Sequence, residues 1–220
     1  MSDPSLSAQE TKEMVLWVAK EMLRTSLVEG TAGNLGARLP DGNAVLTPSS
    51  LDYREMTLDD LVVTDLDGNV LEGERSPTTE KALHLSALRF HDDIHATMHC
   101  HARFATMFAV TRQPIPAVIE EVVVYVGGDV EVADYRTTGT DELADEVAKR
   151  VGDRAAVLMA NHGLFAVGPT PKEVLHTAAL VERTAEIVWG ARQMGEVVPI
   201  PPEVNEQFAG YYRYGRTGKF

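Results

Sequence analysis

The chain has 220 residues, a length that suits one domain with its own hydrophobic core. Its formal net charge of −13 argues against a nucleic-acid or anionic-membrane surface and favours small-molecule chemistry. The single cysteine excludes an internal disulfide, and there is no apolar run near the roughly 20 residues that a membrane span requires. Residues 1–5 are polar and lack the features of a secretory signal, so we expect a cytoplasmic protein.

The first half of the chain predicts one helix followed by short strands. Ser7 and Glu10 form a capping-box pattern, and apolar residues then recur at helical spacing until a stop near Gly30. Strand-like runs separated by Asp-Gly turns follow at residues 35–39, 44–47 and 61–64. A helix is predicted to begin near Thr79, and after it come an extended segment at 94–101 and a helix at 104–110.

The second half alternates strands and helices. Residues 122–125 and 130–132 flank Gly127 and Gly128, which predicts a strand, a turn and a strand. A helix is predicted at 141–151, a buried strand at 155–160, and a long helix with a proline in its first turn at 171–194. We therefore expect one α/β domain over residues 1–220 with a mainly antiparallel sheet, a core at about 10–198 and a C-terminal tail at 199–220.

Histidines occupy alternate positions of the extended segment. His99 and His101 therefore project to one face, roughly 7 Å apart, a gap that one metal ion can bridge. Cys100 points to the other face and is predicted to be a packed core thiol. His162 follows the apolar strand, and three imidazoles with one open position match a catalytic zinc site. Two solvent-facing histidines on an edge strand are the alternative interpretation.

Glu80 lies where a proline-led turn enters a helix. Thr78 or Thr79 would cap that helix, and a carboxylate there would also favour its positive end. The same carboxylate can move protons for a metal-bound substrate, and the exposed amides can bind phosphate. Residues 30–34 and 47–50 form two further turns with many hydroxyls and backbone donors, although each alone is also an ordinary turn.

Five motifs in chain order carry a family resemblance. They are GTAGN at 30–34, LTPSSLDY at 46–53, PTTE at 77–80, HCH at 99–101 and NHG at 161–163. In this order they resemble the class II aldolase and adducin-like family, in its fuculose-phosphate aldolase branch, over about residues 10–215. The resemblance implies a three-layer α/β/α fold and a homotetramer with active sites at subunit interfaces.

The resemblance also implies roles for these residues. His99, His101 and His162 would bind Zn2+, or another divalent ion such as Mn2+ or Co2+, and Glu80 would be a further ligand or the acid/base. The reaction would be retro-aldol cleavage of a ketose 1-phosphate to dihydroxyacetone phosphate and an aldehyde. The phosphate of this sugar substrate would bind at Thr31, Gly33, Asn34, Ser49, Ser50, Thr78 and Thr79.

Some positions depart from the family pattern. Ser50 replaces a frequent glycine, which adds a side chain to a tight turn. Where the fuculose-phosphate enzymes have a tyrosine that protonates the aldehyde oxygen, this chain has Glu120 and Glu121, which could serve as the acid or form a solvated charged pair. Tyr125 could substitute, and Tyr214 resembles the tail tyrosine that closes the aldolase site.

Three other functions are alternatives to aldol cleavage. The same metal site could serve sugar-phosphate epimerisation or decarboxylation of a phosphorylated keto acid, although the Thr-His-Ala-Asp segment of the epimerases is not found near residues 117–123. A non-catalytic adducin-like interaction module is the remote alternative, since such modules lack the metal histidines.

His84 lies one helical turn after Glu80. We interpret it as a packed or hydrogen-bonded residue in preference to a fourth metal ligand.

Overall fold

The computed structural model describes residues 6–217, so residues 1–5, whose polar character was considered above, and residues 218–220 of the tail lie outside the described part. The helices are α1 (Ala8–Arg24), α2 (Lys81–Phe90), α3 (Arg103–Thr111), α4 (Glu120–Val126), α5 (Asp141–Val151), α6 (Pro171–Met194) and α7 (Pro202–Thr217). The strands are β1 (Asn34–Arg38), β2 (Ala44–Leu46), β3 (Val62–Thr64), β4 (Val70–Glu72), β5 (Ala96–Cys100), β6 (Val132–Ala133), β7 (Ala156–Met159) and β8 (Gly163–Gly168). A short 3-10 helix, Leu58–Asp60, precedes β3.

All the strands join one eight-stranded sheet in the order β4-β3-β2-β1-β5-β8-β7-β6. Neighbouring strands pair antiparallel except β6 and β7, which are parallel. The mainly antiparallel sheet predicted from the sequence is therefore confirmed. β5 lies between β1 and β8, and His99 of β5 is opposite Asn34 on one side and Phe165 on the other.

Helices cover both faces of the sheet. Along β5, Ala96, Met98 and Cys100 enter the larger hydrophobic core, which also contains buried residues of α1, α3, α4 and α6. Along β8, Phe165 and Val167 enter a second core with α2 and α5. This alternation follows from the two-residue period of a strand, and it confirms the three-layer α/β/α arrangement and the packed position of Cys100.

Capping residues begin the helices where the sequence indicated. The side chains and amides of Ser7 and Glu10 form both hydrogen bonds of the capping box of α1. Thr170 caps α6 by accepting a hydrogen bond from the Glu173 amide, and Pro171 occupies the first turn. The predicted bounds of α5 and α6 agree with the structure. α1 ends at Arg24, before the predicted stop near Gly30, because the chain leaves the helix through Ser26 in a left-handed conformation.

The predicted strand at 122–125 is wrong, because these residues belong to α4. The run of β-branched valines favours a strand locally. In the helix, however, Val122, Val123 and Val126 all enter the larger core, and Gly127 ends the helix in the left-handed conformation at φ 98°. Tertiary packing therefore overrides the local preference, and the strand that follows is β6, beginning at Val132.

Four elements were not predicted, and the 3-10 helix Leu58–Asp60 is one of them. β8 follows His162 directly, and β4 is a short exposed strand with little apolar signal. α7 occupies the predicted C-terminal tail, and Ala209 is its only fully buried residue among those described. None of the helices in the described part is long and apolar enough for a membrane crossing.

α7 is held by specific contacts. Tyr212 packs on Gly127, where an added Cβ would approach the Tyr212 Cδ1 to 2.6 Å. Arg216 binds the Asp93 carboxylate and donates to the Arg154 carbonyl oxygen at 2.7 Å. The tail therefore docks through one aromatic ring and one half-buried guanidinium.

Replacing Gly127 with Ala tests this docking. We expect Gly127→Ala to lower the free energy of unfolding by about 2 kcal/mol, because alanine is strained at a positive φ and its Cβ meets the Tyr212 ring. Urea denaturation and the rate of proteolysis within α7 would measure the effect. Gly190→Ala is the matched control: nothing lies within 4 Å of its added Cβ, and a helical alanine should stabilise by roughly 0.5–1 kcal/mol. Equal effects of the two substitutions would contradict the docking.

Candidate metal centre

The strand ends bring the three predicted histidines together. His99 lies near the end of β5, His101 follows the strand, and His162 lies in the turn before β8. Because β5 and β8 pair antiparallel with Cys100 opposite Leu164, the end of one strand meets the start of the other. One ligand nitrogen from each histidine lies within 4.8 Å of the others. His162 thus joins one cluster with His99 and His101, which lie 63 and 61 positions before it in the chain, although His101 itself is exposed.

Glu80 completes this cluster. Its Oε2 lies 3.4 Å from His99 Nε2, and its Oε1 lies 3.4 Å from His162 Nε2. The residue is only 7% exposed, and Oε1 has no hydrogen-bond partner among the described residues. A buried carboxylate oxygen without a donor is costly unless a cation neutralises it. These residues therefore fit a divalent metal ion.

Hydrogen bonding orients the His99 ring. His99 Nδ1 lies 3.1 Å from the carbonyl oxygen of Leu164, so this nitrogen carries the proton and donates it. The other nitrogen, Nε2, then has a free lone pair and lies 3.0 Å from His101 Nε2. A carbonyl that fixes the tautomer of a ligand histidine is a common feature of metal sites.

The imidazoles are poor bases in this environment. Burial lowers the pKa of His99 well below its ordinary value of 6.5, and the nearby His162 and His101 lower it further. Burial also lowers the pKa values of His101 and His162, while the carboxylate of Glu80 opposes this shift. Neutral imidazole is the metal-binding form, so at neutral pH an ion need not displace protons from these rings.

Two glycines allow the close packing of the cluster. A Cβ on Gly163 would approach the Cys100 carbonyl oxygen to 2.5 Å and His101 Cδ2 to 3.2 Å. Gly33 has φ +74°, and its Cβ would lie 2.8 Å from the carbonyl oxygen of His99. These close approaches explain why Gly163 of the NHG motif and Gly33 of the GTAGN motif lack a side chain.

The predicted phosphate turns lie side by side. The Thr78 amide donates to the Thr47 carbonyl oxygen, and the Ser49 amide donates to the Ser76 carbonyl oxygen, each at 3.0 Å. The Thr47 hydroxyl accepts from the Leu35 amide at 3.1 Å, which ties both turns to β1. Among the predicted phosphate contacts, the exposed residues are Thr31, Ser50 and Thr79, Ser49 is half-buried, and the buried residues are Gly33, Asn34 and Thr78.

Ser50 and Thr78 also have structural roles in these turns. Ser50 has φ 58°, so the turn keeps the left-handed conformation that suits the family's glycine despite its side chain. The Thr78 hydroxyl accepts from the Glu80 amide at 3.2 Å in the turn before α2, but Glu80 itself occupies the N-cap position without a side-chain capping hydrogen bond, so the predicted cap by Thr78 or Thr79 is wrong. A common phosphate-binding role for these turns stays a prediction.

Asn34 links His84 to Glu80 by hydrogen bonds that the sequence did not indicate. The Asn34 amide donates to Glu80 Oε2 at 2.8 Å, and its oxygen lies 2.6 Å from His84 Nε2. His84 is fully buried, which confirms that it is a packed, hydrogen-bonded residue. Tyr53 was also missed: its hydroxyl donates to the Gly33 carbonyl oxygen at 2.7 Å, and burial raises its pKa to about 12. Its place in the LTPSSLDY motif could have indicated it.

The residues predicted to act on the aldehyde oxygen lie outside the histidine cluster of their own chain. Glu120 and Glu121 lie in the exposed first turn of α4, where Glu121 pairs with Arg183 at 3.2 Å. Tyr125 and Tyr214 line a cleft of about 820 Å³ beneath α7. The cleft also contains His95 and Gly168, which lie at the opposite ends of β5 and β8 from the histidine cluster. The catalytic roles of Glu120, Glu121 and Tyr214 stay predictions.

Known proteins resemble this chain over nearly its whole length. Residues 13–189 match the family described as Class II Aldolase and Adducin N-terminal domain. A 5-deoxy-D-ribulose 1-phosphate aldolase of Bacillus thuringiensis is 35% identical over 94% of this chain and 98% of that protein. An L-fuculose phosphate aldolase of Escherichia coli O6:H1 is 33% identical over 82% and 83%. A solved structure titled L-fuculose 1-phosphate aldolase superposes with a TM-score of 0.89 at 37% identity, covering 96% of this chain and 99% of that one.

Metal binding can be tested by thermal stability. Zn2+ or Co2+ at about 100 times its dissociation constant should stabilise the protein by about 2.7 kcal/mol, because the ion binds the folded state. In His162→Gln most of this gain should disappear, since one ligand of the cluster is lost. His176→Gln, which changes an exposed histidine outside the cluster, is the control and should keep the gain. A gain of the same size in His162→Gln would contradict the site.

Acid should destabilise the metal-free protein. Burial holds the pKa of His84 at about 3 and lowers the pKa values of the three clustered histidines, whereas the unfolded chain titrates near 6.5. Below that pH the unfolded state binds protons that the folded state does not, so the free energy of unfolding should rise with pH between about 5 and 6.5. Urea titrations across this interval measure the slope. A flat or falling profile would show that these histidines titrate normally.

Proposed function

The chain belongs to the class II aldolase and adducin family, and from that premise we propose that it cleaves a ketose 1-phosphate to dihydroxyacetone phosphate and an aldehyde by retro-aldol chemistry. It is a lyase of the class II aldolase type, as its relatives are. The observation that carries the proposal is a cluster of three neutral imidazoles beside the buried carboxylate of Glu80, whose Oε1 has no hydrogen-bond donor among the described residues. This is the environment that a divalent ion and a proton-transferring acid require.

His99, His101 and His162 would hold the ion, and we propose that it is Zn2+ or another divalent ion of similar ligand preference. When bound, such an ion supplies Lewis-acid polarisation of a substrate carbonyl and stabilises the negative charge that develops on its oxygen. The three imidazoles contribute no charge of their own, since burial keeps them neutral. The ion would therefore keep its full charge for the substrate.

Glu80 would move the proton. Breaking the carbon–carbon bond leaves an electron pair on the carbon that becomes the third carbon of dihydroxyacetone phosphate, and Glu80 would deliver a proton there. The aldehyde forms at the same time as its hydroxyl proton is removed, and we propose Glu120, Glu121 or Tyr214 for this second transfer. Asn34 occupies Glu80 Oε2, which leaves Oε1 available for the proton.

Neutral donors would bind the phosphate. The hydroxyls and amides of the paired turns supply hydrogen bonds without a cationic side chain among the predicted contacts, which are Thr31, Gly33, Asn34, Ser49, Ser50, Thr78 and Thr79. The net charge of −13 does not prevent this, because salt screens the overall field beyond about 8 Å. For Asn34, whose side chain joins Glu80 to His84, the backbone amide would be the contact.

The names of the relatives suggest the sugars to test. These are 5-deoxyribulose 1-phosphate, 5-methylthioribulose 1-phosphate and L-fuculose 1-phosphate, named for proteins 33–35% identical to this chain. All three share the ketose 1-phosphate end that the phosphate turns, Glu80 and the histidines would recognise. They differ at the aldehyde end, where this chain departs from the fuculose-phosphate enzymes.

The other functions considered above have less support. The relatives that are 33–35% identical are named aldolases, and no contact in the described part favours epimerisation or decarboxylation over carbon–carbon cleavage. A non-catalytic module would not need four metal-site residues assembled around one point. Aldol cleavage is therefore the function that we put forward.

Metal-loaded protein should release dihydroxyacetone phosphate from at least one of the three sugars, as measured with a coupled triose-phosphate assay. Glu80→Gln should lose about 10²–10⁴-fold in turnover, because the amide cannot transfer the proton. The exposed Glu74 supplies the matched control, since Glu74→Gln makes the same change outside the site and should keep full activity. Absence of triose phosphate from every sugar would refute the aldolase proposal.

We also propose that the enzyme is a homotetramer with its active sites between subunits. The tail and α4 would then supply Glu120, Glu121 and Tyr214 to the histidine cluster of a neighbouring copy. Supporting this, Tyr214 lies at the opposite end of β5 and β8 from the cluster of its own chain. Such an arrangement is common in symmetric oligomers.

Mixed oligomers would test this arrangement. We expect co-expressed subunits of Glu80→Gln and of the triple variant E120Q/E121Q/Y214F to regain activity that neither parent has. Some sites then combine an intact Glu80 from one copy with intact acids from another. Activity would be measured on purified oligomers that carry both affinity tags. If these mixed oligomers are as inactive as their parents, each site lies within a single chain.

A further inference from the structure

A line of buried hydrogen bonds runs from the sheet to Glu80. The Thr97 hydroxyl lies 2.7 Å from His84 Nδ1, and His84 Nε2 lies 2.6 Å from the Asn34 side-chain oxygen. Asn34 then donates to Glu80 Oε2 at 2.8 Å. Thr97 and His84 are fully buried, and Asn34 and Glu80 are 6% and 7% exposed. The line therefore connects β5, α2 and β1 away from solvent.

The carboxylate of Glu80, at the end of this line, determines which atoms along it carry protons. An ionised carboxylate only accepts, so Asn34 must present its NH2 group to Glu80 and its oxygen to His84. His84 must then donate from Nε2, and its Nδ1 accepts from the Thr97 hydroxyl. Burial lowers the pKa of His84 to about 3, which keeps the ring neutral and is consistent with this arrangement.

His84 has no room to adopt another position. Its ring packs against Phe165 with the ring centres 5.8 Å apart. On β1, an added Cβ at Gly36 would lie 3.0 Å from the His84 Cβ and 3.0 Å from the Thr97 hydroxyl, so the strand runs tightly beside both residues. A ring so confined holds Asn34 in one amide orientation.

This orientation matters for the two oxygens of Glu80. The carboxylate receives no capping hydrogen bond from its own helix terminus, although it lies at the N-cap position. Asn34 binds Oε2, while Oε1 is left beside His162 at 3.4 Å with no donor among the described residues. A long acidic side chain otherwise has several rotamers, and loss of one productive rotamer lowers the rate of proton transfer.

We propose that His84 is a positioning residue that acts through Asn34 to hold Glu80 Oε1 toward the histidine cluster, with Thr97 fixing the tautomer of His84. This inference rests on the proposed function, in which Glu80 transfers the proton. His84 itself touches neither the clustered histidines nor the predicted phosphate turns in the contacts described above, apart from Asn34. It supports a catalytic group without being one.

A series of variants separates positioning from general stability. His84→Leu removes the donor to Asn34, and His84→Gln retains an N–H group that can reach it. Thr97→Val removes the hydroxyl that hydrogen-bonds to His84 Nδ1, with almost no change in the shape of the side chain. Thr64→Val makes the same change at another fully buried strand threonine, whose hydroxyl has no partner among the described residues. Thr64→Val is the matched control.

The first measurement is exchange of a carbon-bound hydrogen of dihydroxyacetone phosphate for deuterium in D2O. This half-reaction needs Glu80 and no aldehyde. His84→Leu should lower its turnover about 10–100-fold with the KM for dihydroxyacetone phosphate unchanged, Thr97→Val should lower it less, and His84→Gln should recover part of the loss. Thr64→Val should exchange at the wild-type rate.

The second measurement does not depend on activity. Co2+ affinity, measured by chelator competition on metal-free protein, should fall about tenfold in His84→Leu because Glu80 Oε1 is no longer held beside His162, and it should not change in Thr64→Val. If both His84→Leu and Thr97→Val keep wild-type exchange and Co2+ affinity, or if Thr64→Val is equally impaired, the positioning role is wrong. If the wild-type protein exchanges no deuterium, the proposed function fails, while the Co2+ comparison still decides the role of His84.

Discussion

Backbone hydrogen bonds in the middle of the sheet hold β5 between β1 and β8, and this pairing determines where every residue of the metal centre lies. His99 is opposite Asn34 on one side and Phe165 on the other. Because both neighbours run antiparallel to β5, the start of β1 and the start of β8 meet its end. The GTAGN, HCH and NHG motifs thereby meet at the same end of three central strands, although they are far apart in the chain.

The register also decides which face of the sheet carries the chemistry. Thr97 and His99 point toward the layer of α2 and α5, whereas Met98 and Cys100 point into the larger core. A slip of one residue would exchange these faces, putting the thiol at the site and the imidazole in the core. The large apolar core on the opposite face opposes such a slip, so packing remote from the site maintains its geometry.

The three histidines of the metal centre are neutral, and this is the second physical property on which the site depends. The chain as a whole is strongly acidic, yet the pKa values of the clustered histidines are lowered by burial, and Glu80 is a single carboxylate among them. A buried carboxylate oxygen beside neutral imidazoles is stabilised when a cation is added. The Asn34 amide, which His84 holds by a second hydrogen bond, satisfies Oε2 of Glu80, so the two carboxylate oxygens have different surroundings.

Local sequence determined much of this protein. The capping box at Ser7, the bounds of α5 and α6, the alternation of His99 and His101 and the α/β class follow from short-range periodicity and capping, which depend on residues close in the chain. Only the tertiary structure decided that the valines after Glu121 form a helix, that the tail docks as α7, and that His84 reaches Asn34. These outcomes depend on contacts between distant segments, and no local pattern encodes which segments will meet.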